Sequence, residues 1–125
     1  MRYILALILF ILLLPTVSIG AVLTFSCKYP TYSSDEGGLK KDGNMAFELS
    51  VDTTTGEAFM KSNLGMTKLD LHIGYSSWTL YEKLDTGAVQ TTTIVKDSLV
   101  SVHSRNSVIF NELSPSQYYG KCKLL

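Results

Sequence analysis

The sequence predicts an all-β protein, a single small antiparallel meander that forms a barrel or a sandwich of about eight strands. Three observations carry this prediction. After residue 20, apolar and polar residues alternate over short segments. Gly, Asn, Asp or Pro interrupts the alternation every six to ten residues, and no apolar stripe of helical period extends over ten residues. Short alternating segments at regular spacing are typical of small barrels and sandwiches.

The first twenty residues are expected to lie outside this domain. They combine a basic residue, an unbroken apolar run from Ile4 to Leu14 and small residues up to Gly20. This order is typical of a secretory signal peptide, cleaved after Gly20 or alternatively after Ala21. If the segment is not cleaved, residues 3–23 are just long enough for a membrane anchor. We therefore expect an exported bacterial protein, periplasmic or secreted, with one domain at residues 21–125.

The first two predicted strands each place four large apolar or sulfur-containing side chains on one face. In residues 22–29 these are Leu23, Phe25, Cys27 and Tyr29. In residues 45–52 they are Met45, Phe47, Leu49 and Val51. Between the two strands, the polar stretch 30–43 contains three glycines and mixed charges, which predicts a long exposed loop.

Turn residues separate the next four predicted strands. Residues 53–56 turn the chain into a strand at 57–62, and Asn63-Leu64-Gly65 turns it into a strand at 67–73. The latter alternates most clearly, because its inward face carries Leu69, Leu71 and Ile73 and its outward face carries Lys68, Asp70 and His72. Strands at 78–83 and 88–95 follow, the second rich in β-branched residues.

The C-terminal part is predicted to hold two or three further strands. They span residues 99–103, 107–110 and 119–124, with a break at Ser114-Pro115-Ser116. In a closed meander the first and last strands are neighbours, and these two strands carry Cys27 and Cys122. An exported protein meets an oxidising compartment, so we expect a structural disulfide between the two cysteines.

Charge excludes one class of partner. The chain has 11 basic and 11 acidic residues, and removal of Arg2 with the signal peptide leaves ten against eleven, a net charge of −1. Such a domain has no electrostatic footprint for nucleic acid. An unidentified protein, a glycan or a small apolar ligand remains as the expected partner, with membrane contact only through an uncleaved signal segment.

Residues 84–88 read Leu-Asp-Thr-Gly-Ala and resemble the active-site loop of retroviral-type aspartic proteases. The resemblance would make Asp85 a catalytic acid, and it is kept as a remote alternative. The preceding Glu82 and Lys83 place two charges where that family buries apolar residues. Asp before a Gly that can adopt positive φ is also a strong hairpin signal, so we interpret the segment as a turn.

The two histidines are interpreted as structural. His72 lies on the polar face of its strand, and His103-Ser104-Arg105 is read as a charged strand end, with an anion contact by Arg105 as the alternative. Adjacent residues of a strand point to opposite faces, so His103 and Ser104 are not expected to meet. No third ligand at metal-site spacing accompanies either histidine, and we expect no metal, cofactor or catalytic residue.

Aromatic residues are numerous for a domain of this size. Exposed tyrosine and tryptophan on a rigid sheet are typical of glycan-binding and protein-binding surfaces. The alternative is that these side chains fill and edge the core. The predicted binding surface consists of Tyr75, Trp78, Tyr81, Arg105, Tyr118 and Tyr119.

The C-terminal forty residues, with the runs 102–105 and 115–122, resemble small exported bacterial β-proteins of unassigned function. More distantly, a β-meander with a cysteine near each end is similar to periplasmic C-type lysozyme inhibitors. The loop that engages the enzyme reads Ser-Ala-Ser-Gly in that family, whereas residues 62–65 here read Ser-Asn-Leu-Gly. The leading hypothesis is an exported, non-enzymatic binding or inhibitor-like module, and the alternative is a lipocalin-like carrier of a small apolar ligand.

Overall fold

The computed structural model of the protein describes residues 21–125, and the predicted signal peptide lies outside the described residues. Within this range eight antiparallel strands follow one another in chain order and close into a barrel, because the last strand pairs with the first. The all-β prediction is confirmed, and the architecture is a barrel rather than a sandwich. The strands are β1 (Val22–Ser34), β2 (Met45–Asp52), β3 (Glu57–Ser62), β4 (Gly65–Ile73), β5 (Ser77–Lys83), β6 (Val89–Val95), β7 (Val100–Ile109) and β8 (Glu112–Leu124).

The apolar alternation correctly predicts the core. β2 and β3 have the predicted bounds, and Leu49, Val51 and Ala58 are fully buried. Ile73 differs from the prediction, since it ends its strand at the rim and is 44% exposed. No helix among residues 21–125 is long and apolar enough to cross a membrane.

β1 is longer than predicted, because a β-bulge carries it through the first part of the expected loop. Its register against β8 shifts by one residue between Lys28 and Thr31. Opposite the bulge stands Gly120, where a Cβ atom would lie 2.8 Å from the Tyr29 Cα. Only a residue without a side chain fits this position, so the bulge and Gly120 depend on each other.

β7 and β8 form one long hairpin, so the predicted interruptions after residue 103 and at residues 114–116 are wrong. The connection is a two-residue turn in which Phe110 and Asn111 have φ of 50° and 65°. Positive φ at both positions is the geometry of a type I′ turn. In an antiparallel hairpin, hydrogen-bonded and non-hydrogen-bonded residue pairs alternate. The Ile109–Glu112 pair that closes the turn is hydrogen-bonded, so the Asn106–Pro115 pair, three pairs further along, is not. The strand therefore accepts this proline without losing a ladder hydrogen bond.

The pairing of β1 with β8 closes the barrel, and the disulfide lies within it. Cys27 and Cys122 are directly opposite in the register, are bonded to each other and are both buried. The predicted disulfide is therefore present. It joins residues 95 positions apart and therefore links the first strand of the barrel to the last.

The two ends of the barrel differ. At one end, here called the closed end, Trp78 packs against Phe25 with ring centroids 5.4 Å apart, and Leu99 packs against the core. The connections after β2, β4 and β6 lie at this end. The opposite end, here called the open end, carries the connections after β1, β3, β5 and β7, at residues 35–44, 63–64, 84–88 and 110–111. The interior is filled by apolar side chains near the closed end and becomes polar toward the open end.

Replacement of both cysteines by alanine is expected to destabilise the protein. In the chain-entropy model, a crosslink that closes a loop of nearly 100 residues contributes about 4 kcal/mol. Urea denaturation of the Cys27→Ala/Cys122→Ala variant should show a lower midpoint than the oxidised wild type, and reduced wild type should behave like the variant. Coincident midpoints for all three samples would contradict a stabilising role.

Candidate functional site

Three rows of inward-facing side chains run across β5, β6 and β7, and their polarity increases toward the open end. The register fixes each row, because opposite residues of adjacent strands point to the same face. The row nearest the closed end is Trp78, Ile94 and Ser101. The middle row is Leu80, Thr92 and His103. The row nearest the open end is Glu82, Gln90 and Arg105.

The row nearest the open end lines a cavity of about 510 Å³ that opens at this end of the barrel. Its opposite wall is apolar and comes from Met45, Phe47 and Met60 on β2 and β3. Volumes of this order are typical of small-molecule sites. One wall of the cavity therefore offers two charges and an amide, and the facing wall offers thioethers and an aromatic ring.

The rings of Phe47 and His103 line the inner end of this cavity, and the ring of Tyr29 packs against both of them, so the three rings together form its floor. The ring of Phe47 lies 5.3 Å from that of Tyr29 and 5.2 Å from that of His103, measured between centroids. Two buried hydrogen bonds hold the floor in place. One joins Tyr29 Oη to Ser101 Oγ at 2.8 Å, and the other joins Thr92 Oγ1 to His103 Nδ1 at 2.8 Å. The floor separates the cavity from the apolar core beneath it.

Burial changes the proton affinities of both titratable groups in the floor. It raises the pKa of Tyr29 to about 12, although the hydrogen bond with Ser101 acts in the opposite direction. It lowers the pKa of His103 to about 4, and the positive charge of Arg105 adds to this shift. Both groups are therefore neutral at pH 7. The interpretation of His103 as part of a charged strand end is wrong, because the residue lies inside β7 and is only 3% exposed.

Arg105 is the least satisfied polar residue of the cavity. Its Nε atom is buried, and no described group accepts a hydrogen bond from it. Of the ion pairs formed within residues 21–125, none involves Arg105 or Glu82. Since guanidinium is permanently charged, the cavity wall retains a positive charge with unused donors.

The six residues of the predicted binding surface do not share one surface. Trp78, Arg105 and Tyr118 face the interior, where Tyr118 stacks on Tyr32 with centroids 5.3 Å apart. The other three lie elsewhere, Tyr75 being fully exposed in the turn between β4 and β5, and Tyr81 and Tyr119 being half-buried on the outer face. Alternation along β5 and β8 separates Trp78 from Tyr81 and Tyr118 from Tyr119, because residues an odd number of positions apart point to opposite faces.

The segment at residues 84–88 is a hairpin turn, as interpreted. Gly87 N donates to Leu84 O at 2.9 Å, Leu84 N donates to Ala88 O at 2.9 Å, and Gly87 has φ of 88°. Asp85 is exposed at the tip. Residues 52–56 use the same device, because Gly56 N donates to Asp52 O at 2.9 Å.

Sequence reasoning missed Glu82 and Gln90 as members of the site. The alternation of β5 contains a signal for Glu82, because Trp78 and Leu80 on the same face are inward-facing. For Gln90 the signal is weak, since both faces of β6 carry threonine and another β-branched residue, and the sequence does not show which face points inward. Only the register against β7 places Gln90 between the two charges.

Residues 21–125 contain no group of three His, Cys, Asp or Glu side chains that could hold a metal ion. Comparison with family models, with curated proteins and with solved structures finds no match to this chain. The cavity at the open end is taken as the candidate site because its lining includes Arg105, whose buried Nε has no hydrogen-bond partner among the described residues.

The stability of the barrel is expected to fall as the pH drops from about 6.5 to 4, partly because of His103. The folded pKa of this residue lies below the unfolded value of about 6.5, so in this window the unfolded state binds a proton that the folded state does not. The loss amounts to roughly 3 kcal/mol at pH 4, and stability above pH 6.5 is unaffected.

Urea denaturation at pH 7 and pH 4 measures this effect. The variant His103→Gln should lose less stability between the two values than the wild type does. His72→Gln is the matched control, since His72 is exposed, and should keep the wild-type difference. If His103→Gln and wild type show the same pH dependence, the assignment of His103 is wrong.

Proposed function

We propose that this protein is an exported binding barrel that holds one small organic ligand in the cavity at its open end. The observation that carries the proposal is Arg105, a permanent cation with a buried, unpartnered Nε atom on the cavity wall. A ligand with an acidic group would supply the missing acceptor through a charge-assisted hydrogen bond.

Energetics support this assignment. A buried donor without a partner costs about 1–3 kcal/mol, and the cost is greater for a charged group. The fold alone gives no compensation for Arg105, since within the described residues the guanidinium forms no ion pair. Binding sites retain such groups because the ligand, rather than the protein, satisfies them.

The proposal modifies the lipocalin-like alternative. Eight strands close tightly enough for side chains to fill the interior or to leave room for one small ligand. Here both occur, because large apolar residues fill the half near the closed end and the cavity occupies the other half. A purely apolar ligand would leave the charges of Glu82 and Arg105 unsatisfied, so the proposed ligand carries both polar and apolar parts.

Export of the protein is part of the proposal. The disulfide between Cys27 and Cys122 is compatible with an oxidising compartment, and the sequence of residues 1–20 predicts a signal peptide. The resemblance to lysozyme inhibitors stays a prediction. The corresponding segment here, residues 62–65, forms the turn between β3 and β4 at the rim of the cavity, where Leu64 is fully exposed.

Binding of small carboxylates tests the proposed function. Benzoate, 3-phenylpropanoate and octanoate, titrated into ¹⁵N-labelled residues 21–125, should shift amide resonances around the cavity, including those of Ser62, Thr67, Gln90 and Ser107. Arg105→Gln should weaken the binding about 10- to 100-fold, the amount that corresponds to loss of one charge-assisted hydrogen bond.

The matched control is Lys121→Gln, which removes a positive charge from an exposed position on the outer face of β8. This variant should bind as the wild type does. The proposal fails if none of the three carboxylates shifts cavity resonances, or if Arg105→Gln and Lys121→Gln bind them equally well.

A further inference from the structure

We infer that the ligand of the cavity is a zwitterion of the amino-acid type, a free amino acid or a short peptide with an apolar side chain. This inference rests on the proposed function and adds the class of ligand to it. It follows from the position of Glu82 relative to Arg105 and from the apolar wall opposite to them. The carboxylate of such a ligand would bind Arg105, its ammonium group would bind Glu82, and its side chain would pack on the apolar wall.

The two charges occupy one cross-strand row. Glu82 is opposite Gln90, and Gln90 is opposite Arg105, so the carboxylate and the guanidinium are two strand spacings apart. At about 4.8 Å for each spacing, their Cα atoms are about 10 Å apart, and both side chains line the cavity. They do not form an ion pair with each other. The row therefore presents a negative and a positive group to the same cavity, with Gln90 between them.

An α-amino acid has the complementary arrangement of charges. Its carboxylate accepts hydrogen bonds from Arg105, and its ammonium donates to Glu82. Gln90, which lies between them and is 8% exposed, offers an amide N–H and a carbonyl oxygen to the same polar end of the ligand. A simple carboxylic acid would satisfy Arg105 but would leave the negative charge of Glu82 facing its own acidic group.

The apolar wall of the cavity indicates that the side chain of the ligand is apolar. Met45, Phe47 and Met60 present thioethers and a ring to the cavity, and Phe47 and Met60 are each 8% exposed. Methionine side chains adapt to apolar groups of different shape. The cavity volume of about 510 Å³ exceeds the size of one amino acid, so a dipeptide with an apolar side chain fits the same description.

Matched ligands separate this inference from the proposed function. L-Phenylalanine has both charges, 3-phenylpropanoate lacks the ammonium group, and 2-phenylethylamine lacks the carboxylate. We expect L-phenylalanine or the dipeptide L-leucyl-L-phenylalanine to bind at least 10-fold more tightly than 3-phenylpropanoate, measured by isothermal titration calorimetry and by shifts of the cavity amides. 2-Phenylethylamine should bind more weakly than either zwitterion.

A variant of Glu82 tests whether this residue binds the ammonium group of the ligand. Glu82→Gln should abolish the preference for the zwitterion over 3-phenylpropanoate, because it removes both the acceptor for the ammonium group and the negative charge that faces the acidic group of 3-phenylpropanoate. A urea midpoint equal to that of the wild type shows that the variant is folded. Glu48→Gln, an exposed acidic position on the outer face of β2, is the control and should change neither affinity.

Two outcomes would overturn the inference. If 3-phenylpropanoate binds in the cavity as tightly as both zwitterions, the proposed function stands and the ligand class is wrong. If neither the zwitterions nor 3-phenylpropanoate bind there, the proposed function and the inference both fail.

Discussion

The pairing of β1 with β8 is the constraint on which the rest of the molecule depends. Without this pairing, the same strands would form an open meander with two free edges and no enclosed interior. Their pairing converts one face of every strand into the inside of a barrel. Three features stabilise the contact, namely the disulfide between Cys27 and Cys122, the bulge in β1 and the close approach of its backbone to Gly120.

The interior created in this way serves two purposes with different physical requirements. Near the closed end, residues such as Leu49, Val51 and Ile94 bury apolar area and supply stability. Toward the open end, β6 and β7 contribute buried polar side chains, and the outermost charged residues, Glu82 and Arg105, form no ion pair within the described residues. Stability contributed by one half of the barrel offsets the unfavourable polarity of the other half. Such a division is common where a fold maintains a binding site.

The sequence was sufficient to predict the elements whose alternation is clear and whose turns are marked. β2 and β3 were predicted with correct bounds, and the disulfide was predicted from two cysteines on the first and last strands. The long hairpin of β7 and β8 was not, because Phe110-Asn111 is an unusual composition for a type I′ turn and Pro115 resembles a strand break. The site was only partly predictable. Valines at positions 100 and 102 suggest that their face points inward, whereas closure of the sheet places His103 and Arg105 inside.

The bulge at Tyr29-Pro30 changes which residues of β1 face the interior. Before it, odd-numbered positions of β1 face the interior, and after it the even-numbered Tyr32 faces the interior, opposite Tyr118. A one-residue deletion in the regular part of β1, between Phe25 and Tyr29, would exchange inner and outer side chains on one side of the deletion. A deletion at the bulge would instead leave a regular strand with Tyr32 still facing inward. Insertions in the exposed residues 35–39 carry no such penalty. Related sequences should therefore vary in length within that loop and keep a fixed number of residues in β1 ahead of the bulge.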